Sequence, residues 1–93
     1  MFVSVIHRIS DPDGFSEMTR NATIPEDLRL PQVISSTDRS TTICLWEAAS
    51  VQRVRDFVEP LTAGICTNEY HEVDADFSLG LPGSVVDAIG YID

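Results

Sequence analysis

Positive charge is what this chain of 93 residues has least of. Six Lys and Arg stand against fifteen Asp and Glu, a formal net charge of −9. Phosphate binding needs a basic stripe, so neither nucleic acid nor an anionic membrane is an expected partner. The acidic balance reads as a solvated surface that aids solubility. Cysteine is scarce as well. Cys44 and Cys66 are the two thiols, no Cys-x-x-Cys links them, and nothing points to a disulfide. Long apolar runs are missing: none approaches the ~20 residues of a membrane span. The start, Met-Phe-Val-Ser-Val-Ile-His-Arg, has neither the basic region nor the long apolar stretch of a signal peptide, so a cytoplasmic location is expected. No solenoid-period repeat, low-complexity tract, phosphate loop or Ser-His-Asp set is present.

What remains is ordinary for one globular domain: 43% apolar and 23% charged residues. A chain of this size buries only ~60–65% of its unfolded surface, so a dimer that covers a second sheet face would help.

The stretch from Thr41 to Asp74 organises the rest. Ile43, Cys44, Leu45 and Trp46 form a short apolar run that predicts a strand. Ser50 is a good N-cap, and Val51, Val54, Phe57, Val58 and Leu61 follow at helical spacing. Pro60 predicts that the regular helix stops near Glu59, with a separate turn from Leu61 to Gly64. Tyr70 to Val73 reads as the last strand. Earlier in the chain, Phe2 to Ile9 alternates as a strand with Val3, Val5, His7 and Ile9 on one face. Ser10-Asp11-Pro12 starts a short helix that ends near Asn21 or Ala22. Leu28 to Ser35 is a strand placed at an edge by Pro31, and residues 36–40 form a hairpin connection.

The order is β-α-β-β-α-β. Two right-handed crossovers joined by a hairpin predict an α+β, ferredoxin-like domain over residues 1–76. It has a four-stranded antiparallel sheet of order 4-1-3-2 with both helices on one face. Residues 77–93 lie outside this plan. Their apolar side chains predict that Ser84 to Ile92 packs on the domain or on a partner subunit.

Two constellations carry possible chemistry. His7 and His71, with Glu69 and with Glu47 from a third strand running parallel beside the first, would form a metal or base site if they share a face. Trp46 and Tyr70 with Arg8 would line a concave sheet face suited to a small anionic or aromatic ligand, or pack in a dimer interface. Cys44 lies in an apolar setting that raises a thiol pKa and is no nucleophile.

At Cys44-Leu-Trp-Glu-Ala48, the helix start at Ser50, Val54-Arg55 and Tyr70-His-Glu-Val73, the chain resembles a family of small ferredoxin-like proteins of uncharacterised or nickel-binding function. His7 falls where those proteins carry a first-strand histidine. More distantly the layout is similar to antibiotic-biosynthesis-type monooxygenases and stress-responsive barrel domains. The resemblance implies a homodimer whose two sheets face each other as a dimeric α/β barrel. It makes nickel or zinc possible cofactors, although Val58 and Thr62 stand where the nickel binders have helix histidines. The expected function is a homodimeric binding protein that holds a small ligand or serves as a dimerisation module. The alternatives are a cofactor-independent monooxygenase-like enzyme, marked by a cavity of ~300 Å³ or more lined by His7 or His71, and a transition-metal binder.

Overall fold

The structure, a computed structural model, describes residues 1–82. The tail expectation for Ser84 to Ile92 lies outside the described residues. The elements are β1 (Phe2–Ile9), α1 (Pro12–Asn21), β2 (Arg29–Ser35), β3 (Thr41–Glu47), α2 (Val51–Thr62), β4 (Cys66–Glu72) and a single 3-10 turn, Ala75–Phe77. The sheet order is β2-β3-β1-β4 with every neighbour antiparallel. This is the expected ferredoxin-like α+β arrangement.

Local chemistry accounts for the element ends. Asp11 caps α1 by accepting from the Gly14 N–H, with Pro12 in the first turn. Ser50 caps α2 by accepting from the Arg53 N–H. Between β2 and β3 the Asp38 carboxylate accepts from the Ser36 and Ser40 hydroxyls and the Ser40 N–H. Those donors hold its pKa at about 2.

Three expectations change. α2 runs unbroken through Pro60 to Thr62. The proline sits in the last turn on the exposed side, while burial of Thr62 and partial burial of Leu61 hold the backbone helical past it. β4 starts at Cys66 rather than Tyr70. β3 runs antiparallel to β1, not parallel, so Glu47 lies opposite Phe2 and far from His7.

Alternation sorts the sheet into two faces. Val3, Val5, Cys44 and Trp46 turn toward the helices and form the core with Val54 and Val58. Val3, Val5 and Val54 are fully buried. Among the described residues, neither α1 nor α2 covers the other face. Ile6, Ile43 and Ile34 lie there in one row across three strands. The next row holds His71, Ser4, Leu45 and Gln32. After β4 the chain crosses this face. Val73 donates to the Phe2 carbonyl on one side, and the Gly80 carbonyl accepts from Gln32 Nε2 at 3.1 Å on the other. Leu45, in the row between those two bonds, is only 8% exposed.

Candidate functional site

The site is built from the helix-facing side of the sheet. α1 turns short side chains inward, among them Ser16, Thr19 and Ala22, and these do not fill the space between α1, α2 and β3. A cavity of about 380 Å³ remains. Its floor is His7, Cys44 and Trp46, and its walls include Phe15, Met18, Phe57, Val58 and Leu61. It reaches β2 at Leu30, Val33 and Ser35, where Val33 is 53% exposed, so the mouth lies on that side.

His7 closes one end. It is 3% exposed, and the Phe15 ring lies against it with centroids 5.3 Å apart. His7 Nδ1 meets Asn68 Oδ1 at 2.5 Å. Asn68 Nδ2 donates to Glu59 Oε2 and, at 2.8 Å, to Thr62 Oγ1. Tyr70 donates its hydroxyl to the same Glu59 oxygen at 2.6 Å, and the Arg55 guanidinium lies 4.8 Å from the Tyr70 ring centroid.

This chain of bonds settles the imidazole. A carboxylate only accepts, so the Asn68 edge that faces Glu59 is its NH₂ and the edge that faces His7 is its carbonyl. His7 Nδ1 therefore carries the proton. Burial lowers the His7 pKa against the opposing pull of Asn68 and Glu59, which favours the neutral ring. Nε2 is then a bare lone pair, and it has no hydrogen-bond partner among the described residues. The hydrogen bonds from Tyr70 and Asn68 hold the Glu59 carboxyl below its usual range. An amide between Glu59 and His7 does not pass protons, so this arrangement orients the ring rather than relaying charge.

Trp46 closes the other end. It is 4% exposed, and Phe57 meets it edge-on at 5.8 Å. Its indole Nε1 is buried with no hydrogen-bond partner.

Cysteine chemistry is not favoured. Burial pushes the Cys44 thiol up to about 12. Cys66 lies 3.8 Å from His7 Nδ1, but its thiol donates to Asn68 Oδ1 at 3.2 Å, and burial raises its pKa too. Both partners meet the protonated ring nitrogen, so no base takes the thiol proton.

The structure separates the expected metal set. His7 pairs with Asn68 in register, not with Glu69 or His71. His7 therefore faces the helices, whereas Glu69 and His71 point to the open face, where they bond each other at 2.6 Å. Glu47 pairs with Arg29 at 3.1 Å at the far end of the strand. Among the described residues no group of three or more His, Cys, Asp or Glu is placed to hold a metal ion. The aromatic set divides in the same way. Trp46 is opposite Val3 and Tyr70 opposite Val5, both on the helix side, while Arg8 is exposed on the open face. A single step of strand parity sends a side chain to the other face.

Asn68, Glu59, Thr62 and Phe15 were not legible as site residues. Asn68 carried one signal: it is a short polar side chain inside the last strand. No protein-family profile, curated protein or solved structure matches this chain. None of the described helices is long and apolar enough to cross a membrane.

Proposed function

We propose that this protein binds a small, largely apolar molecule in the cavity between its helices and its sheet, without catalysis of its own. The observation that carries this reading is a space of about 380 Å³ lined mostly by apolar side chains. Ligand cavities of ~300–1,000 Å³ are mostly apolar with a few placed polar groups. The test uses N-phenyl-1-naphthylamine, a neutral dye that brightens in apolar surroundings. Saturable brightening at one dye per chain is expected. Ala22→Phe, which fills the cavity from the end of α1, should abolish it while far-ultraviolet circular dichroism stays unchanged. Absence of brightening, or brightening that survives the filled cavity, sinks the reading.

A second reading concerns the open face. Ile34 is 60% and Ile43 43% exposed, side by side, and a second copy laid on that row would form the homodimer that the sequence resemblance implies. Light scattering that returns a monomer at micromolar concentration counts against it. The enzyme alternative draws on the cavity and on the neutral His7 lone pair as a general base. Dissolved-oxygen consumption with a bound ligand is its test.

A further inference from the structure

We infer that the molecule taken by the cavity is a monocarboxylate with an apolar body, and that its carboxylate sits against Arg39 at the cavity's rim. The inference rests on the cavity-binding reading above and names the class of ligand.

A second hollow leads to it. This space of about 110 Å³ lies between the start of α1 and the β2–β3 hairpin. Phe15, Ser16 and Ser35 line both it and the larger cavity. Ser35 is exposed and Ser16 half-exposed, so the edge the two spaces share lies at the surface.

The smaller hollow has donors to give. Its lining holds one charged side chain, Arg39, and the hydroxyls of Ser16, Ser35 and Thr42, with no Asp or Glu. Arg39 Nη2 donates to the Pro12 carbonyl and Ser16 Oγ at 3.2 Å and to Asp13 Oδ1 at 3.3 Å. Its Nε and Nη1 have no partner among the described residues. Ser16 Oγ accepts from Arg39, which leaves its own hydrogen unused. Ser35 and Thr42 share one bond at 2.8 Å, which leaves one of their two hydrogens unused. Spare donors around a guanidinium suit an anion. Asp13 competes weakly, because it is 95% exposed and touches Arg39 through a single oxygen. A ligand carboxylate seated in the hollow takes its place and can engage two N–H groups of the fork.

Size sorts the anion. At the ~30 Å³ that a water-sized group takes up in a liquid, 110 Å³ holds the three heavy atoms of a carboxylate and little more. The larger space of about 380 Å³ then holds an apolar body of about a dozen atoms. Arg39 is 54% exposed, so the head group keeps part of its water and avoids the cost of a buried charge.

The backbone adds a further sign. Arg39 stands at φ 64°, a left-handed position where glycine or asparagine is the ordinary choice. Such strain points to a task for the side chain. Of the six arginines in the sequence, Arg39 alone lines either space.

The experiment measures octanoate and 1-octanol by calorimetry at neutral pH, on the wild-type chain and on Arg39→Gly. Glycine fits the left-handed turn, so this variant loses the guanidinium and keeps the hairpin. Arg39→Asn, which also tolerates that turn, is the second variant. Octanoate should bind the wild type about tenfold more tightly than octanol, against the net charge of −9. Both variants should lose that preference and bind octanol as before. If octanoate binds the wild type no better than octanol, the inference is overturned and the cavity reading stands. A preference that survives both variants also overturns it, since the carboxylate then lies elsewhere. If neither octyl probe binds while the naphthylamine dye does, the ligand class is wrong. If the dye fails as well, the cavity reading itself fails.

Discussion

The two faces of this sheet are made from the same four strands and yet do different jobs. The helix side carries the core, the cavity and every member of the His7–Asn68–Glu59 chain. The polar atoms of that chain are placed by several partners at once. The open side carries three isoleucines in a row, a His71–Glu69 pair in solvent, and one crossing segment that bonds to Gln32. Substitutions on the first face disturb a packed interior. Substitutions on the second disturb only what lies on top. A helical cover, more than the composition of the strands, decides which face can hold a site.

That contrast can be broken most severely at Val54, which is fully buried where α2 meets the sheet. Val54→Ala should cost about 2–3 kcal/mol by loss of packed methyl groups, read as a lower urea midpoint at unchanged slope. Next comes Asn68→Ala, which strips partners from His7 Nδ1, Glu59 and Thr62 together. About 1–3 kcal/mol is expected. A cost below ~0.5 kcal/mol would mean that the polar chain places nothing.

Acidification gives a smaller effect. Burial lowers the His7 pKa from its ordinary 6.5, so the unfolded chain binds more protons than the folded one just below that value. Stability is then complete above about 6.5 and falls as pH drops through the window beneath it, by at most about 1.4 kcal/mol per pH unit. Melting followed from pH 7.5 to 5.5 should show the decline, and His7→Gln should flatten it. The range stays above the zone in which the carboxylates titrate. The smallest effect belongs to the open face. Ile34→Thr should change stability by no more than ~0.5 kcal/mol, and a larger loss would show that the row is covered in solution.

Much of the fold was legible because its signals are local. The alternation of β1, the Asp11-Pro12 and Ser50 helix starts, and the turn residues between β2 and β3 each act over a few residues. The topology followed from the order of elements. The last turn of α2 was not legible. Pro60 is a strong local stop signal, and it was outweighed by tertiary burial around Leu61 and Thr62. The two expected constellations come apart for a reason of parity. Thr67-Asn68-Glu69-Tyr70 is polar on both faces, so the sequence does not say which residues turn inward, and a strand begun at Tyr70 hid Asn68 altogether. His7 lines the cavity, but the neighbours expected beside it lie on the other face, and Glu47 was placed by the wrong strand direction.

The edges of the sheet have a consequence for how copies of this chain behave when crowded. At β2 the pairing with β3 slips between Arg29 and Gln32, and Pro31 within that slip offers no N–H. A strand approaching from outside meets a broken row of donors and acceptors there, so this edge is a poor template for growth into a ribbon or fibril. At the opposite edge β4 is regular, but it carries Glu69 and Glu72. Two such edges brought together set carboxylate against carboxylate. One border is blunted by geometry and the other by charge, and both guard the chain against endless edge-to-edge association.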